Sequence, residues 1–300
     1  MTALVEVARA GGSLSDAADA QTRLLIDGFL HTAGPPPARF SWVVLGSHAR
    51  RELHCASDQD SALFWQTTAA AASSYAADLA GTVIDGLVEF GMRRCDGGYM
   101  ADTWSHSVEQ WADIFRDRVN APTAEAVIDA DVFLDVRPLT AGVDVAAAFA
   151  ELALGARSPR LMHGLAVAAN GFPTVLGPFG RLPRGAIDLK KSGLAPIVLL
   201  ARLYGLRAGS AAVSTNDRLL AAGAANVLSP ELSTRLREGY ELLSRLRLTN
   251  QLRQMAARQY VTDTIAVDEL TDVEHDAVRE ALRAIKSAQS VTSVAFRTDL

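Results

Sequence analysis

Phe40-Ser41-Trp42-Val43-Val44-Leu45-Gly46-Ser47-His48-Ala49-Arg50-Arg51-Glu52, followed by Ser57-Asp58-Gln59-Asp60-Ser61-Ala62-Leu63-Phe64-Trp65, is the stretch that decides the fold. Residues 40–45 are aromatic and β-branched, and a glycine follows at once. This predicts a strand running into a glycine turn. Residues 58–65 predict a second strand. Side chains alternate along a strand, so Asp58 and Asp60 fall on one face. A glycine lets the backbone approach an anion closely, and a neighbouring serine hydroxyl can donate to it. Two carboxylates at i and i+2 offer hard oxygen ligands to a divalent cation such as Mg²⁺.

Upstream, residues 14–31 predict a helix capped by Ser13, with Asp16 in its first turn and Leu24, Leu25, Phe29 and Leu30 as apolar positions. Ala33-Gly34-Pro35-Pro36-Pro37 ends it as a stiff linker. Downstream, 69–90 predicts a helix with Leu79, Val83, Leu87 and Phe90 in one stripe. Residues 107–119 predict another, with Trp111 and Phe115 on one side. Val132-Phe133-Leu134-Asp135-Val136-Arg137 predicts a third strand, stopped by Pro138. Its Asp135 is a candidate third acid, or an edge residue paired with Arg137 or another cation. After about residue 140 helical patterns take over, at 143–154, 158–169, 194–207, 216–226, 230–260 and 266–290, with residues 185–190 as one extended piece. The expected class is α+β. Residues 1–38 form an N-terminal helix and linker, 39–142 a small mixed sheet with helices, and 143–300 an all-α helical bundle.

Apolar residues make up 49% of the chain and charged residues 21%, enough for a packed core, while the net charge of −5 argues against a nucleic-acid partner. Cys55 and Cys95 alone make no disulfide framework, which fits a reducing cytoplasm. No signal-peptide pattern opens the chain, and no uncharged apolar run is long enough to span a bilayer, so no membrane partner is expected.

Gly46-Ser47-His48-Ala49-Arg50-Arg51-Glu52 with Ser57-Asp58-Gln59-Asp60 resembles the nucleotidyltransferase domain of the polymerase-β-like superfamily. Within it, the chain is similar to the nucleotidyltransferases related to the PII-protein uridylyltransferases. The likeness continues through Cys95-Asp96-Gly97-Gly98-Tyr99-Met100-Ala101, Trp104, Trp111 and Phe133-Leu134-Asp135-Val136-Arg137. In the helical half it runs through Ile187-Asp188-Leu189-Lys190, Ala201-Arg202, Thr215-Asn216-Asp217-Arg218-Leu219 and Leu246-Arg247-Leu248-Thr249-Asn250-Gln251, similar to the family's substrate-binding domain. The resemblance implies metal-dependent transfer of UMP or AMP from a nucleoside triphosphate to a protein or small-molecule acceptor, releasing pyrophosphate. It implies that Asp58, Asp60 and Asp135 hold Mg²⁺ (or Mn²⁺), and that Gly46, Ser47 and Arg50 hold the β- and γ-phosphates. Two departures stand out: bulky His48 follows the serine, and Ala49 sits where many relatives have glycine. An altered phosphate loop is expected, and a catalytically weak nucleotide-binding regulatory module stays open as an alternative. Bacterial relatives are often fused to CBS or cyclic-nucleotide-binding domains. Regulation of that kind is expected either to be missing here or to come from a regulatory partner chain.

In the helical half, Lys190, Arg202, Arg218, Arg247 and Gln251 either face the nucleotide or acceptor or form structural ion pairs such as Asp188–Arg202. Arg202 lies among Ile197, Leu199, Leu200 and Leu203, where an unpaired charge would be costly to bury. Arg247 and Gln251, four apart, share a helix face. His48 is a further group that could touch the triphosphate. Trp104 and Trp111 are expected to pack rather than to stack on a base.

Overall fold

The computed structural model describes residues 2–154, 158–172 and 175–298. The chain divides into two compact units, Met1–Leu154 and Gly155–Leu300, and is of mixed α+β class. The first unit opens with α1 (Ala3–Arg9) and α2 (Leu14–Ala33). Ser13 caps α2 by accepting from the Asp16 amide at 3.2 Å, as its sequence predicts. Then come β1 (Phe40–Leu45), the single turn α3 (Gly46–Ala49), β2 (Asp58–Gln59), β3 (Ser61–Trp65), α4 (Thr68–Ala71), α5 (Ser74–Phe90), β4 (Arg93–Arg94), β5 (Ser105–Ser107), α6 (Val108–Asn120), α7 (Ala124–Phe133), β6 (Val136–Pro138) and α8 (Ala146–Leu154).

A four-stranded sheet runs β5-β3-β1-β6. Strand β1 lies inside it, antiparallel to both neighbours, with Val44 opposite both Ser61 and Arg137. All residues of β1 and β3 are buried, in keeping with their mainly apolar sequences, and the buried Ser41 accepts from the Gly142 and Val143 amides. Phe64 stacks on Trp111 with ring centroids 4.6 Å apart, and Trp104, Phe115 and Phe133 extend the cluster. Trp111 also donates to the Leu63 carbonyl at 3.0 Å, so both tryptophans pack as expected. Burying each such side chain contributes roughly 1.5–3 kcal/mol.

Several features differ from the sequence expectations. The predicted strand over 58–65 is broken at Asp60: β2 pairs in parallel with β4, and β3 pairs with β1. The predicted strand over 132–137 is split: its first two residues end a helix, a turn follows, and only Val136 and Arg137 are strand. Helix α7, capped by Thr123, runs to Phe133, and Asp135 sits at the junction before β6. A short apolar run fits either period, and here the helix claims only its first two residues. Finally, α2 belongs to the first unit, because it meets α5 so closely that a Cβ on Gly86 would come within 2.4 Å of the Leu25 side chain. That unit also extends past residue 142 to Leu154, with Phe149 of α8 5.0 Å from Phe115 of α6.

The second unit contains α9 (Pro159–Asn170), β7 (Ala186–Asp188), a π-helical turn (Lys190–Leu194), α10 (Ala195–Arg207), α11 (Thr215–Ala224), α12 (Pro230–Ala256), β8 (Thr264–Ala266) and α13 (Asp272–Phe296). Its core gathers Ile197, Leu203, Tyr204, Leu236, Leu243 and Ile285. Strands β7 and β8 pair antiparallel, with Ile187 opposite Ile265. The half expected to be all helical therefore holds a two-stranded sheet. Helix α13 begins at Asp272 rather than 266, where Thr271 and Glu274 form a capping box.

Candidate functional site

The end of β1 joins two acid-bearing segments. The Leu45 amide donates to the Asp60 carbonyl at 3.0 Å, and the next amide, Gly46, donates to the Asp135 carbonyl at 3.1 Å. Gly46 has a φ of +54°, and a Cβ there would lie 2.7 Å from Asp60 Oδ2. Glycine is thus needed twice, for its backbone region and for the room it leaves the carboxylate. Gly46, Ser47 and Arg50 are half-buried, whereas His48 and Ala49 are buried. Ala49 lies within α3 and has no left-handed backbone, so no glycine is required there.

Asp58 and Asp60 are half-buried and Gln59 between them is buried, its amide donating to the Ile84 carbonyl at 3.2 Å. The expected alternation survives the break in the strand. Asp58 Oδ1 lies 3.2 Å from Arg93 Nε, an arginine that the sequence reading missed because β4 is only two residues long. Asp60 accepts a hydrogen bond from Cys95. Burial pushes the Cys95 thiol up to about 11, and the Asp60 charge adds to the rise. The thiol therefore stays protonated at neutral pH and can donate.

Asp135 is fully buried, and its carboxylate is paired with Arg50. Arg50 Nε also donates to Glu52 Oε2 at 2.6 Å. A buried carboxylate needs a compensating cation, and Arg50 supplies one. This departs from the expectation that Asp135 completes a metal cage and that Arg50 points at phosphate. Among the described residues, no group of three or more His, Cys, Asp or Glu side chains is placed to hold a metal ion. The donor chemistry of Asp58 and Asp60, two carboxylates on one face, still fits a hard cation.

His48 does not face outward. Its ring is 1% exposed, and Nε2 lies 2.8 Å from Asp19 Oδ1, which can only accept. Arg137 donates to the same carboxylate at 2.7 and 2.9 Å. Burial pushes the Asp19 carboxyl up, but the His48 and Arg137 hydrogen bonds outweigh it and hold the group well below the usual carboxylate range. Burial, as the larger effect, pushes His48 down against the pull of Asp19.

Residues 1–125 match a family model described as "Putative nucleotidyltransferase DUF294", and residues 159–296 match one described as "Putative nucleotidyltransferase substrate binding domain". The chain belongs to this DUF294 nucleotidyltransferase family. No curated protein matches it. Gly46, Ser47, Asp58 and Asp60 all lie inside the stretch matched to the DUF294 nucleotidyltransferase model, whereas Asp135 lies outside it.

In the stretch matched to the substrate-binding model, two of the cationic candidates, Arg247 and Lys190, meet an acid. Arg247 Nε donates to Asp263 Oδ1 at 2.6 Å and its terminal nitrogen to Oδ2 at 3.1 Å. Gln251 donates to Oδ1 at 2.8 Å, and Lys190 adds its charge. Burial raises the Asp263 carboxyl, yet these partners hold it below its ordinary value. Lys190 lies in the π-helical turn, not in an extended piece. Arg218 is 5% exposed and donates to the Ala212 carbonyl at 2.8 Å. Arg202 is buried in α10. Asp188 accepts from the Lys191 amide at 2.8 Å. Sequence reasoning passed over Asp263, an isolated acid outside any periodic pattern.

Proposed function

We propose that the chain moves a nucleoside monophosphate, UMP or AMP, from a nucleoside triphosphate to a protein or small-molecule acceptor, releasing pyrophosphate. One observation carries this reading: Gly46, in a left-handed turn after β1, lies against Asp60 so closely that any side chain would collide with the carboxylate. An anion-accepting turn and a cation-binding acid are thereby built as one unit. In the reaction, an acceptor oxygen forms a bond to the α-phosphorus as the bond to the β-phosphate oxygen breaks. The electron pair leaves with pyrophosphate, and the acceptor proton passes to water. Asp58 and Asp60 would hold Mg²⁺ (or Mn²⁺), which when bound neutralises charge on the phosphate oxygens. The Gly46 backbone and the Ser47 hydroxyl receive the β- and γ-phosphates. A triphosphate would offer Arg50 a bidentate acceptor in place of Asp135, and Asp135 would then hold metal charge beside Asp58 and Asp60. A cytoplasmic setting and a regulatory partner chain belong to the same reading.

Incubation with α-labelled UTP or ATP, Mg²⁺ and cell extract should label an acceptor. The double substitution Asp58→Ala/Asp60→Ala should abolish the label, and labelling that survives it would overturn the assignment. A second reading, nucleotide binding for regulation without turnover, is favoured by the Arg50–Asp135 pair, which occupies the third carboxylate. Tight calorimetric binding of a triphosphate with no pyrophosphate release would select it.

A further inference from the structure

The segment after the Gly46-Ser47 turn is gripped by a helix far away in sequence. Ser15 of α2 accepts from the Leu53 amide at 3.4 Å. Asp16 pairs with Arg51, whose φ of 63° is a backbone region unfavourable for a side-chain-bearing residue. Asp19, 4% exposed, is the centre of the grip. It holds the His48 ring on one side and the Arg137 guanidinium on the other. Arg137 passes the restraint on, donating to the Ala49 carbonyl at 3.2 Å and to the His48 carbonyl at 3.0 Å. Arg137 is also two residues from Asp135 and pairs across the sheet with Val44.

We propose that Asp19 is a positioning residue for the phosphate turn: through His48 and Arg137 it fixes the backbone of residues 46–49 in the form that receives the triphosphate. This rests on the nucleotidyl-transfer reading and deepens it. A cluster serving stability alone has a simpler alternative, since buried ion pairs are often replaced by apolar residues without loss. Here the donors of Arg137 that do not meet Asp19 end on carbonyls of the turn itself. Fully satisfied buried networks rigidify what they touch, and what this one touches adjoins Gly46 and Ser47. His48, unexpected after the serine, has its role in this link rather than on the ligand.

The test measures binding of a fluorescent ATP analogue with Mg²⁺ at a temperature where circular dichroism shows every variant folded. Asp19→Asn keeps the shape but loses the charge, and it should weaken binding about tenfold, the scale seen when supporting groups behind a ligand site are removed. Hydrogen exchange at residues 46–49 should quicken with it. Ile26→Ala, buried on the same helix but away from the network, should lower stability and leave affinity within about twofold. Equal affinity for wild type and Asp19→Asn overturns the inference and leaves the functional reading standing. Equal weakening in Asp19→Asn and Ile26→Ala also overturns it, since general stability would then explain the effect. A wild-type chain that binds no triphosphate overturns the functional reading first. Should Asp19→Asn fail to fold, Arg137→Lys, which keeps the ion pair but loses the second carbonyl contact, should weaken binding in the same assay. Unchanged affinity there overturns the inference.

Discussion

Each unit of the chain sets an aspartate among cations, Asp19 buried and Asp263 half-buried, and the two clusters end in different places. Around Asp263 the partners Arg247, Gln251 and Lys190 converge on one carboxylate, so the cluster closes on itself. Around Asp19 the chain of donors continues: Arg137 hands its remaining hydrogen bonds to the carbonyls of His48 and Ala49. The first arrangement holds a fold together. The second holds a turn that has a half-exposed glycine and serine at its start. An arginine in a sequence therefore says little about ligands until its acceptors are known.

The largest effect that could break this contrast lies at Gly46. Gly46→Ala puts a methyl 2.7 Å from Asp60 Oδ2 in a left-handed turn. The backbone strain alone costs about 1–3 kcal/mol, and displacement of Asp60 should lower label transfer by about 100-fold or more. Transfer at wild-type rates would show that the close approach has no catalytic meaning. Next comes Arg247→Ala, which removes the charged hydrogen bonds to half-buried Asp263, leaves it only Gln251 and Lys190, and should cost about 2 kcal/mol in urea unfolding. Nucleotide affinity of the folded variant should not change. A loss of affinity without loss of stability would return Arg247 to a binding role and dissolve the distinction.

A smaller effect concerns acid. The folded carboxyl of Asp19 titrates below its unfolded value of about 4. Its stabilisation is therefore present above that value and is lost as pH falls towards the folded one. His48, shifted down, favours the neutral ring in the fold, so protonation below about pH 6.5 acts in the same direction. Urea midpoints of the wild type should fall with pH across this range, and those of Asp19→Asn should fall less steeply. Asp263, also shifted down, should give Arg247→Ala a shallower acid limb, since both clusters share this chemistry. The smallest effect is at Cys95. With its thiol at about 11, the thiolate fraction at pH 8 is on the order of 10⁻³ and alkylation is slow. Asp60→Asn should speed it several-fold by mass spectrometry. Unchanged rates would separate Cys95 from Asp60.

Much of the central motif was legible. Strand β1 and the turn at Gly46 follow from an apolar run meeting a glycine, and the shared face of Asp58 and Asp60 follows from local alternation. The long helices of the second unit follow from periodicity, and the structure adds caps at Ser214 and Ser229. What stayed hidden is non-local or very short. Asp19 meets Arg137 across more than a hundred residues, and no pattern in either segment announces the other. Strand β8 has three residues, too few to show alternation. The 132–137 run is divided between the end of α7 and the start of β6, and no local signal in it marks the division.

Consecutive amides of β1, Leu45 and Gly46, anchor the main chain at positions 60 and 135. Neither anchor uses a side chain. Exchanging either aspartate for asparagine thus alters charge while the peptide scaffold around it persists. If nucleotidyl transfer is the activity, such a variant should keep its fold while losing transfer, and an acceptor docked on it would stay unmodified.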